Sequence, residues 1–134
     1  NRGLLASSGA DNTSGLIFGG DTPGSTTVTE SWNGTNWTEV NDLNTVIQVH
    51  GGMGTATAAL SFGGSPITGG TELWNGTNWT NKESMNAGRA YPSGGGTTTA
   101  GLAFGGSNPS KTALTEEWDG TGFVIETLTT TSDN

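Results

Sequence analysis

The chain has 134 residues, of which 30% are apolar, 24 are Gly and none is Cys, and its four Lys plus Arg against twelve Asp plus Glu give a net charge of −8. The negative balance opposes nucleic acid as a partner, because polyanions are bound by charge neutralisation, and the missing cysteines exclude disulfides and thiolate chemistry. No apolar run approaches the ~20 residues of a spanning helix, so no membrane insertion is expected, and the Thr-, Asn- and Gly-rich stretches carry no helical periodicity. Short strands joined by tight turns are the remaining option.

The elements follow in chain order. Leu16 and Phe18 lie two apart and share one face of a strand that Gly19-Gly20 ends. Val28, Glu30 and Trp32 share a face of the next strand. Asn33-Gly34 then turns the chain, since such pairs tolerate the positive φ of a hairpin, and Trp37 starts the returning strand, with Leu43 beyond it. A Gly-rich strand, Gly51-Gly52-Met53-Gly54, and a Thr/Ala turn lead into the second copy: Leu60 and Phe62, Gly63-Gly64, Gly70, Glu72 and Trp74, Asn75-Gly76, Trp79 and Met85. Gly94-Gly95-Gly96 opens the third: Leu102 and Phe104, Gly105-Gly106, Leu114, Glu116 and Trp118, Asp119-Gly120, Phe123 and Leu128. Phe-Gly-Gly recurs at spacings of 44 and 42 residues and the Glu-x-Trp anchor at 42 and 44, so the chain is three copies of one four-stranded unit.

This order of strand, Gly-Gly, Glu-x-aromatic, turn and Trp resembles the kelch repeat over essentially the whole chain. The copies depart from that family in being shorter than its period of about 50 residues and in using Asn-Gly-Thr where Asp-Pro is frequent. The resemblance implies an all-β fold, a β-propeller with three four-stranded kelch-like blades at about 2–45, 46–87 and 88–130 of a single repeat domain spanning 1–134. It also implies that the Gly-rich strands lie nearest the axis and that the aromatics pack between blades. Compact copies with Asn-Gly-Thr-Asn-Trp look similar to kelch-like arrays of bacteriophage tail and virion surface proteins. Closed rings take about four to eight blades, so three imply completion by a partner. Two chains head to tail give six blades, and a homodimer is expected, with a longer array as the alternative. The chain opens on Asn1, which reads as a processed or partial chain.

The repeated Glu30, Glu72 and Glu116 are expected to hold loop backbone N–H groups, because the only cations are Arg2, Lys82, Arg89 and Lys111 and backbone donors are cheaper partners. Trp32, Trp74 and Trp118, with Trp37, Trp79 and Phe123, are expected to pack between blades rather than to form a sugar-stacking platform. The ligand surface is expected at the rim loops 21–27, 65–70 and 107–112 and at the entries to the inner strands. There Arg2 and Arg89 stand 16 and 15 residues before their Phe, while the middle copy has Ile47. Arg89 and Tyr91 are the first candidates for ligand contact, followed by Arg2 and His50. A single His makes no metal-ligating set, and neither metal nor cofactor is expected.

No enzymatic activity is expected. A copper site of the galactose-oxidase kind needs cysteine and paired histidines, a sialidase needs three arginines, and the Gly pairs end strands instead of opening a phosphate-binding helix. Asn12, Asn33, Asn36, Asn75 and Asn78 stand in glycosylation sequons, four of them explained by turn chemistry. Sparse Lys with abundant Thr, Asn and Gly suits an extracellular or virion-surface protein. The expected function is recognition by an oligomer, with a glycan or cell-surface receptor as ligand. The alternative is a purely structural component of a tail, fibre or matrix, and a protein-binding adaptor ranks third.

Overall fold

The computed structural model describes residues 1–126. Twelve strands account for its regular structure, and there is no helix among the described residues. The first sheet contains β1 (Ala6–Asp11), β2 (Ser14–Phe18), β3 (Thr29–Trp32) and β4 (Trp37–Val40). The second contains β5 (Gly51–Gly54), β6 (Ala59–Phe62), β7 (Thr71–Trp74) and β8 (Trp79–Lys82). The third contains β9 (Ser93–Gly96), β10 (Gly101–Phe104), β11 (Thr115–Trp118) and β12 (Phe123–Ile125). Each sheet is an antiparallel meander in which every strand pairs with its neighbours in sequence. Leu128 and the expected end of the third copy at 130 lie outside the described residues.

The registers repeat because the turn chemistry repeats. Gly15 pairs with Trp32, Ala59 with Trp74 and Gly101 with Trp118. In the β3–β4 and β7–β8 hairpins the Oδ1 atoms of Asn33 and Asn75 accept from the backbone N–H groups two and three residues on, at 2.8–2.9 Å. Gly34 and Gly76 follow at φ 95° and 96°, a conformation that excludes a side chain at little cost only for Gly. Asp119 does the same work in the third sheet, and the Thr121 amide and hydroxyl, with the Gly122 amide, hold its carboxyl below the usual range. The residues flanking each hairpin are aromatics packed in tilted pairs, with centroids 5.0–5.4 Å apart and ring planes 44–57° from each other. The first Trp of each pair also pins the turn between the two inner strands: the Nε1–H groups of Trp32, Trp74 and Trp118 donate to the carbonyls of Asn12, Ala56 and Thr98.

Alternation along the strands gives each sheet two unlike faces, and unlike faces meet. Ala6, Leu16 and Phe18 of the first sheet, with Leu43 just beyond it, pack against Ala59, Trp74 and Trp79 of the second. Met53, Leu60, Phe62 and Met85 of the second pack against Ala103, Trp118 and Phe123 of the third. Burying side chains of this size is worth roughly 1.5–3 kcal/mol each, so these two seams are the core. Phe18 and Phe62 nest under the inner strand of the following sheet, where a Cβ on Gly52 or Gly94 would lie 2.8 or 2.4 Å from the ring. Across the first seam Trp79 Nε1–H donates to Thr29 Oγ1 at 3.0 Å.

Backbone rungs tie neighbouring sheets near the inner strands. Val49 N–H donates to Leu4 O and Tyr91 N–H to Val49 O, at 2.9 and 2.8 Å, and Gly20 and Gly64 donate to Ile47 O and Arg89 O. Leu4, Val49 and Tyr91 all sit in the left-handed region, at φ 53°, 49° and 57°. Non-glycine residues held there cost about 1 kcal/mol or more each. Three at equivalent positions mark a built-in corner where the chain passes from one sheet to the next.

The inner strands pack in series, β1 on β5 and β5 on β9, and no packing of that extent joins β9 back to β1. The array therefore ends in two open faces. At one end Leu102 and Phe104, equivalents of the buried Leu60 and Phe62, are both 44% exposed. At the other, Trp37, the equivalent of buried Trp79, is 47% exposed.

Candidate functional site

The rim loops and inner-strand entries come together at one end of the sheets. Bridges between Gly3 and Asp21, Gln48 and Ser65, and Ala90 and Ser107 hold each loop against the segment that precedes its inner strand. Candidates chosen on separate stretches of sequence thus share one edge of the molecule.

Three of the four expected ligand residues nevertheless face inward. Arg89 is 0% exposed, and its Nη1 donates to Glu116 Oε2 at 2.9 Å and to Ala87 O at 3.0 Å, while Nη2 donates to Ala103 O at 3.3 Å. Arg2 donates to Glu30 Oε2 at 2.7 Å, to Gly19 O at 3.0 Å and to Val28 O. Both arginines are consumed by internal partners, so the expectation that they present a cation to a ligand is corrected. The reason is phase: the repeated Glu lies beneath the inner-strand entry, and a guanidinium leaving that entry reaches it.

The carboxylates are as expected in two sheets and different in one. Glu72 accepts from Asn44 N–H and Thr45 N–H, at 2.7 and 3.0 Å, and Glu116 accepts from Asn86 N–H and Ala87 N–H, at 2.7 and 3.2 Å. Each thus ties its sheet to the loop that leaves the sheet before it. Glu30 pairs with Arg2 instead, and Glu116 has Arg89 in addition, so arginine is a larger part of this system than the expectation of backbone donors alone allowed. Trp74, Trp79, Trp118 and Phe123 are buried in the seams, as packing requires.

His50 is also buried rather than offered to a ligand. Its ring lies 5.7 Å from that of Phe18, a Cβ on Gly19 would fall 2.4 Å from its Cε1, and neither ring nitrogen has a hydrogen-bond partner. Desolvation, opposed in part by the Phe18 backbone and helped by the charge of Arg2, pulls its pKa from 6.5 down to about 4. The sign follows directly. Above pH 6.5 His50 is neutral folded or unfolded, whereas between about pH 6.5 and 4 only the unfolded chain binds the proton, so stability falls as pH falls through that window. Denaturant titrations should show about 2 kcal/mol of loss from His50 by pH 5, and His50→Leu should remove that part of the slope. An unchanged slope in the variant would contradict a neutral buried imidazole.

Tyr91 alone behaves as a surface candidate. Its ring is 66% exposed while its backbone is fixed by the rung to Val49 O and the adjacent Ala90–Ser107 bridge. The rim loop tied to its neighbour Ala90 carries Ser107, Asn108 and Ser110, of which the Ser107 hydroxyl donates to Pro109 O and the Asn108 amide to Gly88 O. Sequence periodicity could not find the left-handed backbone at this position, since only the chain path requires it.

No family model matches the chain, and no curated protein matches it. Among solved structures, that of YjhT superposes with a TM-score of 0.74 at 12% identity, covering 95% of this chain and 46% of YjhT. The fold is a β-propeller. The three sheets are three blades in series, and the chain spans less than half the length of YjhT.

Proposed function

We propose that the chain is a non-enzymatic, kelch-like propeller module of an extracellular or virion surface, which recognises carbohydrate through its rim and works as a ring of two copies. The exposed ring of Tyr91, held on a strained backbone beside a loop of hydroxyl and amide groups, carries the recognition reading. An aromatic face stacks on the apolar side of a sugar ring at little entropic cost when its backbone is already fixed. A glycan array probed with the assembled protein should give a defined set of binders, lost in Tyr91→Ala with no change in thermal stability. An array without signal would overturn the recognition reading.

Ring formation is supported by the two open faces, which repeat the halves of an internal seam. Leu102 and Phe104 of one copy meet Trp32 and Trp37 of the next as Leu60 and Phe62 meet Trp118 and Phe123. Trp37 Nε1 and Thr115 Oγ1 stand where Trp79 and Thr29 make their hydrogen bond. Leu4 N–H and Tyr91 O stand where the backbone rungs continue. Ser7 occupies the place of Gly52 and Gly94 in this mating surface, so Phe104 seats slightly further out than its equivalents. YjhT, of which this chain matches 46%, is about long enough for a whole ring of such halves.

A second reading, a structural component of a tail, fibre or matrix, uses the same two faces. Head-to-tail contacts that fail to close generate filaments.

A further inference from the structure

The seam between the first and second blades contains a cleft of about 180 Å3, with the carboxylate of Glu72 in its wall. Glu72 is 6% exposed and accepts two backbone N–H groups, yet no ion pair reaches it among the described residues. In the other two blades the equivalent carboxylate is paired with a guanidinium, Arg2 on Glu30 and Arg89 on Glu116. The second blade lacks one because Ile47 stands at that position.

We propose that this cleft is a guanidinium-binding site, for which the chain's own arginines show the contacts in the neighbouring blades. Arg89 uses Glu116, Ala87 O and Ala103 O, whose second-blade equivalents are Glu72, Thr45 and Ser61. Arg2 uses Glu30, Gly19 O and Val28 O, whose equivalents are Glu72, Gly63 and Gly70. All five of these second-blade residues line the cleft. A guanidinium placed there meets a planar carboxylate and backbone carbonyls in the fork geometry that an ammonium cannot match. The net charge of −8 favours the approach of a cation. Lys82 lies at the cleft wall but makes no ion pair with Glu72. The site lies within one chain, and its lining includes Thr68 and Gly70 of the rim loop 65–70 and Ile47 of the inner-strand entry but not Tyr91.

The test is a titration of the 15N-labelled full chain with methylguanidinium chloride, against methylammonium chloride at matched ionic strength. Saturable shifts of the Asn44 and Thr45 amides are expected in the millimolar range with methylguanidinium, at least tenfold weaker with methylammonium. Glu72→Gln should weaken binding at least tenfold. Ile47→Arg, which supplies a guanidinium from the chain itself, should abolish it while the spectrum remains that of a folded protein. Equal responses to L-arginine and to the tripeptide Gly-Arg-Gly would support recognition of the guanidinium alone, and a stronger response to the tripeptide would support a protein arginine as the natural occupant. Absent shifts, equal shifts with methylammonium, undiminished binding in Ile47→Arg, or binding that appears only in Lys82→Ala would each overturn the proposal.

Discussion

Arg89→Ala is expected to lower folding stability by about 3–5 kcal/mol, because it leaves the Glu116 carboxylate buried without its counter-charge. Both side chains are fully buried, so water cannot replace the guanidinium, and the Ala103 carbonyl loses its donor as well. The corresponding fall in melting temperature is about 10–20 °C for a chain of this size. The double variant Arg89→Met with Glu116→Gln should recover only part of that loss, since the neutral amide leaves no charge to neutralise but its single oxygen can accept from only one of the Asn86 and Ala87 amides. If Arg89→Ala alone cost less than about 1 kcal/mol, an effect ordinary for surface sites, the buried ion pair would not be an organising contact. Arg2→Ala should cost less, because Glu30 is partly open to solvent.

Equivalent phenylalanines should respond unequally. Phe62→Ala empties a filled position in the second seam, where the ring meets Phe123 at 5.9 Å and nests against Gly94, and should cost about 3–5 kcal/mol. Phe104→Ala, at the same repeat position, should change the stability of the isolated chain by roughly 0.5 kcal/mol or less while weakening association of two copies. Sequence, propensity and strand position are matched between the two sites, so the difference isolates what lies on the far side of the ring. Denaturant melts at low protein concentration give the first quantity, and sedimentation across a concentration series gives the second. Equal losses at the two positions would mean that Phe104 is already covered within its own chain.

The strands, turns and seams were legible because each rests on short-range chemistry repeated in phase. Asn33, Asn75 and Asp119 announce a four-residue hairpin loop, and alternation around Phe18, Phe62 and Phe104 marks the packed face. That a row of three sheets has two end faces was legible too, and these carry the exposed Leu102, Phe104 and Trp37. The directions of Arg2, Arg89 and His50 were not legible. They depend on where an irregular segment passes over a neighbouring strand, and no periodicity constrains that path. The contrast of Arg2 and Arg89 with Ile47 was visible in the aligned copies, but its meaning needed the position of the repeated Glu beneath them. Gly19 and Gly64 likewise read as strand ends, and only packing shows that Gly19 also makes room for the His50 ring and Gly64 for the Ile47 side chain.

A half-ring that closes on a second copy predicts one number most directly. Sedimentation equilibrium of the unmodified chain should give a mass twice the 13.6 kDa of the chain, constant over a tenfold range of concentration. A folded species that stays at 13.6 kDa, or a mass that keeps growing with concentration, would contradict closure into a two-chain ring.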